Sequence, residues 1–371
     1  MGLPAPIRRH AGGFGGRAGA SFGEQSLSAS ASATAAESRK PCRSMYRKRC
    51  KRWWAPALLA LLAARCGGQS VPTSPGALAT PAPAIPTGTS LSVVSGETGQ
   101  PVAGATVAVG GRSYQTDGSG RVALAEGVSL NVPVQIDSAD FLTRHTLFRS
   151  AETTVFSLWP RTTASGLNEH YTASIVYTSA SISAPSAVGE LALTRLPPTT
   201  RQVVLVLSPE TASESATEHQ DACERMTAAT GGQLLYAVAA ERPTAPGVTV
   251  FDVRIDPQDE ACAGAVRAQT RFSTRLGEIQ GGTIIYCSRS IARSSTVAHE
   301  LGHTFGLRHS PFPEELMYGG FSAFRARVFG PRELLVMSLM RGRRAGNRFP
   351  DYDREALGTL GGREEIVILC Y

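Results

Sequence analysis

The run His299-Glu300-Leu-Gly-His303-Thr-Phe-Gly306-Leu-Arg-His309 constrains this chain more than any other stretch. Two histidines four residues apart on a helix project from one face, about 6 Å apart along the axis. That suits two imidazoles on one ion at about 2.0–2.1 Å each. Glu300 stands beside the first histidine, where it reaches the open side of an ion rather than ligating it. His309 joins only if the helix stops. A continuing helix would carry it about 15 Å beyond His299 and turn it by nearly 80°. Gly306 is placed for the stop, because glycine tolerates the left-handed conformation that ends a helix. A bare His-Glu-x-x-His arises on any amphipathic helix, and there its histidines are mostly solvated or in the core. Five fixed positions are far more demanding. His10, His145, His170 and His219 have no such company.

The formal charge of +7 invites a nucleic-acid reading until it is placed along the chain. Residues 1–66 carry 12 of the 37 Lys+Arg and 2 of the 30 Asp+Glu, so the remainder carries 25 basic and 28 acidic residues, a net of −3. No polyanion-binding charge is left, and no nucleic-acid partner is expected. Residues 1–44, rich in Gly, Ala and Ser, read as a disordered or untranslated extension. Residues 45–66 read as a signal peptide: Arg47, Lys48, Arg49, Lys51 and Arg52 precede an apolar run from Trp53 to Ala64, too short to span a bilayer. The ending AARCGG resembles a bacterial lipoprotein cleavage box, which implies lipidation at Cys66, although Arg65 departs from its small-residue pattern. The expected location is the cell envelope, lipid-anchored, or secreted. Any membrane contact is expected only through that anchor.

Residues 67–88 hold five prolines and read as a tether. From 89 to 160 short apolar alternations are separated by turn signals such as Asp117-Gly118-Ser119-Gly120, the texture of a β-sandwich. The run GQPVAGATVAVGGRSYQTDGSGRVAL resembles the carboxypeptidase-regulatory-like domain, which implies a spacer or binding module rather than catalysis. Asp140 and His145 read as ordinary surface residues there. Four cysteines follow the leader: Cys223, Cys262, Cys287 and Cys370, an even number in an exported chain. Three disulfide pairings stay open, as does the alternative of four buried free thiols, and none of the four has Cys-x-x-Cys spacing.

Residues 165–371 alternate strand and helix signals. Strands are expected at Arg201–Leu207, Leu234–Val238, Val248–Val253 and Thr283–Cys287. A helix is expected from Ala212 to Thr230, closed by Gly231-Gly232. The segment HELGHTFGLRHS followed by PFPEELMYGGF is similar to the metzincin peptidases, and within them to the matrixins. The shared features are Gly-Leu-x-His-Ser and a Leu-Met-Tyr eight residues past the third histidine. The resemblance implies an α+β fold, a twisted mixed sheet with an active-site helix, preceded by the small all-β domain. It implies Zn2+ held by His299, His303 and His309, Glu300 as general base, and Met317 in a tight turn beneath the metal. Asp353–Gly361 is similar to the family's closing helix. The matrixin Pro two residues after the Met is Gly319 here, and the pocket wall that follows would be Gly319, Gly320 and Phe321. The family's inhibitory propeptide cysteine has no counterpart: Cys42 precedes the leader's apolar run.

The function expected is therefore an exported zinc endopeptidase acting on a protein or peptide substrate, as a monomer. The substrate would lie extended along an edge strand within Gln269–Ile279. The alternative is a surface-anchored binding or adhesion lipoprotein with a non-catalytic metal domain, against which the intact Glu300 argues. A purely structural zinc is set aside because such sites usually have four protein ligands and the sequence offers no fourth near the motif.

Overall fold

The computed structural model describes residues 84–125, 127–150, 154–177, 192–262, 264–320, 327–353 and 363–371. The leader, Cys66 and most of the tether lie outside them, as do Phe321 and residues 354–361 of the expected closing helix. No helix among the described residues is long and apolar enough to cross a membrane. The described chain is α+β, with several sheets and few helices.

Its first part is all strand: β1 (Ala84–Ile85), β2 (Ser90–Ser95), β3 (Thr106–Val109), β4 (Arg112–Gln115), β5 (Arg121–Ala123), β6 (Val128–Ser129), β7 (Val132–Asp137), β8 (Arg144–Phe148) and β9 (Val155–Leu158). These make a two-stranded pair β1-β6, a three-stranded sheet β5-β2-β9 and a four-stranded sheet β4-β3-β7-β8. Alternate residues bury, as period two requires: Leu91 and Val93 on β2, Val107 and Val109 on β3, Val134 and Ile136 on β7. All six belong to one apolar cluster with Ile85, Phe148 and Phe156. The Asp117-Gly-Ser-Gly turn forms as read, with Asp117 Oδ1 accepting from the amides of Ser119 (2.8 Å) and Arg121 (2.9 Å).

The second part is organised by a six-stranded sheet built from β10 (Gln202–Leu207), β11 (Leu235–Ala239), β12 (Val248–Ile255), β13 (Ala268–Arg275), β14 (Glu278–Tyr286) and β15 (Arg363–Cys370), in the order β11-β10-β12-β14-β13-β15. The first four of that order are parallel; β13 is antiparallel to β14, and β15 to β13. A strand inside a parallel sheet is covered on both faces, which is why β10 reads as an almost unbroken apolar run. The α-helices among the described residues are α1 (Glu169–Thr172), α2 (Pro209–Ala229), α3 (Ser294–Phe305) and α4 (Pro331–Arg341). Ser208 caps α2 and accepts from the Thr211 amide, with Pro209 in the first turn. Cys223 and Met226 bury on one α2 face, and Gly231 and Gly232 take the positive φ that turns the chain away.

One expectation needs correction. The strand expected within Gln269–Ile279 is β13, which ends before a turn at Leu276-Gly277, but its outer edge is not open, because β15 pairs with it along its whole length. Of the four cysteines whose pairing the sequence left open, Cys262 and Cys287 make a disulfide that ties the loop before β13 to the end of β14. Cys223 is a buried thiol, raised to about 12 by burial first and then by neighbouring Glu224.

The strand-rich part and the larger sheet meet through buried polar groups. Arg343, fully buried, forks onto Asp351 with both contacts at 2.7 Å and donates to the Ser157 carbonyl at the end of β9. Arg144 reaches the same carbonyl at 2.7 Å, and Thr146 bonds Asp353 at 2.8 Å. Asp140 is exposed, as expected. His145 is more engaged than a surface residue: its backbone pairs with Asp351 and Asp353, and its ring lies 5.1 Å from that of Tyr352.

Candidate metal centre

Helix α3 is the element that builds the site. It starts at Ser294, runs under the sheet, and ends where the sequence said it must. Gly306 has φ 113°, and the amides of Gly306 and Leu307 turn back onto the carbonyls of His303 (3.0 Å) and Gly302 (3.1 Å). A side chain at 306 would also overlap the Thr194 carbonyl oxygen. The glycine is thus required twice, for its dihedral and for the close approach of another backbone. The chain that leaves it carries His309 back toward the helix.

The three histidines converge. Ring centroids lie 4.7 Å apart for His299 and His303, 5.4 Å for His299 and His309, and 5.0 Å for His303 and His309. Backbone carbonyls set the tautomers of the first two. His299 Nδ1 donates to the Leu316 carbonyl (2.6 Å) and His303 Nδ1 to the Leu307 carbonyl (2.8 Å). With the proton on Nδ1, each Nε2 carries its lone pair inward. Those two nitrogens are 3.1 Å apart. Two acceptors facing each other at that distance repel unless a cation is shared between them, so the donor chemistry fits a metal ion.

The turn that supplies Leu316 is itself held. The Ser310 amide bonds the Met317 carbonyl (2.8 Å), and Glu333 on α4 accepts from the Met317 amide (2.8 Å) and the Gly330 amide (2.7 Å). Glu315 is gripped by Arg332 (2.6 Å), Tyr171 (2.8 Å) and Ser310. Met317 is fully buried, and its thioether fills the space that a side chain at Gly302 would need. It therefore packs against Gly302 of the helix. Met337 and Met340 instead bury on α4. Gly319 lets the chain cross the face of His309: a Cβ there would lie 2.6 Å from the ring carbon Cγ.

Glu300 is fully buried on α3. Thr270, from the adjacent strand β13, donates to its Oε2 at 2.5 Å. The hydroxyl fixes the carboxylate's orientation from outside the helix, a partner no motif spacing announces.

The structure adds one residue that the sequence reading excluded. Cys370, the last residue of β15, places its Sγ 3.3 Å from His299 Nε2, 3.4 Å from His303 Nε2 and 3.6 Å from His309 Nε2. The four ligand atoms lie within 4.8 Å of one another, and His299, His303 and Cys370 are buried. This His3Cys group can hold a metal ion. A fourth candidate ligand thus lies beside the three histidines, where the sequence offered none near the motif. Spacing could not reveal it, because 61 residues separate His309 from Cys370 and the strand pairing alone joins them. His10 lies outside the described residues, and His145, His170 and His219 are not part of the group. His170 is exposed. His219 is buried in α2, bonded to the Ser215 carbonyl (2.7 Å), its ring edge-on to Tyr286, its pKa lowered mainly by desolvation.

No protein-family model matches this chain, and no curated protein matches it in sequence. The functional reading therefore rests on the geometry above.

Proposed function

We propose that this chain is an exported zinc-dependent endopeptidase of the metzincin type, with His299, His303 and His309 as metal ligands and Glu300 as general base. The observation that carries the reading is a pair of imidazoles locked with their Nε2 lone pairs inward, a third ring closing on them, and a buried carboxylate on the same helix. Zinc is the ion that such nitrogen and thiolate donors favour. When bound there, it supplies Lewis acidity toward a scissile carbonyl and makes a water more acidic. Glu300 takes the proton of the attacking water and returns it to the leaving amine. Thr270 holds the Glu300 carboxylate in one orientation for both transfers. The Leu316 and Leu307 carbonyls keep the first two rings from turning.

A peptide substrate is supported by the way β15 itself lies beside the histidines. Residues of β15 lie extended on β13, and the Tyr371 amide bonds the Gly319 carbonyl (3.1 Å) just past Cys370. An extended backbone thus fits between β13 and the segment after Met317. Export is supported by the leader-like 45–66 stretch and by the Cys262–Cys287 disulfide, which an oxidising compartment maintains. A lipid anchor at Cys66 and a monomeric state complete the proposal.

One observation favours a second reading. With Cys370 in place the site has four protein ligands, the closed set of a structural metal. The test opens that fourth place. The Cys370→Ala chain, loaded with zinc, is incubated with a fluorescein-labelled unfolded protein, with and without a chelator. The peptidase reading expects chelator-sensitive cleavage, lost by several orders of magnitude on adding Glu300→Gln with zinc retained. Zinc without cleavage in every variant, including one in which Ile366→Pro and Val367→Pro unpair β15 from β13, would establish the structural site instead.

A further inference from the structure

We propose that β15 is an autoinhibitory strand: it fills the substrate path along β13 and lays Cys370 on the metal group as a fourth ligand, so that the peptidase is latent until the strand is displaced. This rests on the peptidase reading and assigns its regulation.

Three features of the strand point the same way. It lies where a substrate would lie. Every residue from Arg363 to Cys370 is in register with β13, from Arg275 to Ala268, and the Arg267 amide bonds the Cys370 carbonyl at 2.8 Å. A substrate pairing backbone to backbone with β13 needs those same strand groups. The blockade is steric as well as chemical, since Thr270, which holds Glu300, sits opposite Ile368 of β15.

Second, the four ligands are not equivalent. The histidines belong to α3 and the turn after it, and the rings of the first two are pinned by carbonyls of that same region. Cys370 arrives on the outermost strand of the sheet, which among the described residues pairs with β13 alone. Its solvent side is open: Glu365 is exposed and Val367 is 42% exposed. Peeling that strand away breaks one ladder and leaves the three histidines on their own scaffold.

Third, Glu300 is retained and oriented. A thiolate in the fourth place leaves the base no water to activate, so a permanently closed site has no use for a carboxylate held at 2.5 Å by Thr270. A tethered ligand is held by high effective concentration rather than by strong intrinsic affinity, and it reopens when its carrier strand is moved.

The experiment uses the full chain loaded with cobalt(II) and, separately, with zinc, compared with Cys370→Ser and Cys370→Ala. The cobalt-loaded wild type is expected to show the near-ultraviolet charge-transfer band of a thiolate ligand, and both variants to lose it while keeping one metal ion per chain. With zinc, both variants are expected to cleave the labelled unfolded protein roughly 10²-fold faster than wild type, the order by which tethering raises occupancy. Equal cleavage by wild type and variants, all sensitive to Glu300→Gln, overturns the latency and leaves the peptidase standing. Variants that keep their metal and stay inert even after Ile366→Pro and Val367→Pro have unpaired β15 from β13 overturn the peptidase, and the latency with it. A wild type without the thiolate band overturns the assignment of Cys370 whether or not the variants fold.

Discussion

Gly306→Ala tests the device that turns a helical motif into a three-histidine site. At φ 113° a non-glycine residue loses about 1–2 kcal/mol to its own Cβ. The added methyl would also overlap the Thr194 carbonyl oxygen and lie 3.0 Å from the Thr194 carbonyl carbon. The atoms in the way are backbone, so relief must come from moving one chain against the other, at about 1–3 kcal/mol. Together these predict a loss of about 2–5 kcal/mol, or a melting temperature lower by roughly 4–20 °C for a domain of this size. The displacement falls on the residues that deliver His309, so metal affinity should drop by about 10–100-fold or more. Gly231→Ala is the control, with φ 64° and nothing near a new Cβ. It should carry the dihedral cost alone and leave metal affinity unchanged. The assay is thermal unfolding with competitive metal titration. A Gly306→Ala chain that matched Gly231→Ala in both would show that Gly306 does not deliver His309.

Three further outcomes are expected. Glu333 is raised to about 7, chiefly by desolvation and against the lowering pull of the Gly330 and Met317 amides. Its folded form holds a proton that the unfolded chain releases near 4.5, so its contribution is full below about pH 4.5 and is lost as pH rises through 7. That amounts to at most about 3 kcal/mol, and Glu333→Gln should flatten this slope in denaturant midpoints measured across the window. Arg343→Met leaves Asp351 charged and buried and should cost about 3–5 kcal/mol in chemical denaturation, whereas the double change Arg343→Met with Asp351→Leu should recover most of it. Thr270→Val, made in the Cys370→Ala chain, removes the hydrogen bond to Glu300 and should lower kcat about 10–100-fold with bound metal unchanged. An unaltered kcat there would remove Thr270 from the positioning of the base.

What the sequence made legible was local. The spacing of His299 and His303 is a helical repeat, Gly306 is a helix stop, and Met317 follows at a fixed distance, so each was readable without knowing any tertiary contact. The parallel strands β10, β11 and β12 were legible as apolar runs for the same reason. The partners that finish the site carry no motif. Leu316 and Leu307 act through backbone carbonyls, which every residue has, and Thr270 matters only because β13 passes beside α3. Cys370 carried the right chemistry but no spacing, and the even cysteine count drew it toward a disulfide. The β-branched run Ile366-Val367-Ile368 just before it was the available sign of a strand, and a strand ending in a cysteine was the clue to weigh. Helix α4 went unread because its register is set by Glu333, which serves as both its cap and the clamp on Met317.

Whether three imidazoles share one ion is read by X-ray absorption at the zinc edge. On the Cys370→Ala chain we expect one zinc per molecule and a first shell of nitrogen or oxygen only, at about 2.0–2.1 Å, three of its members being imidazoles that drop to two when His309 is replaced. A chain that folds with no bound zinc, or an imidazole count that His309→Ala leaves unchanged, would show that they do not.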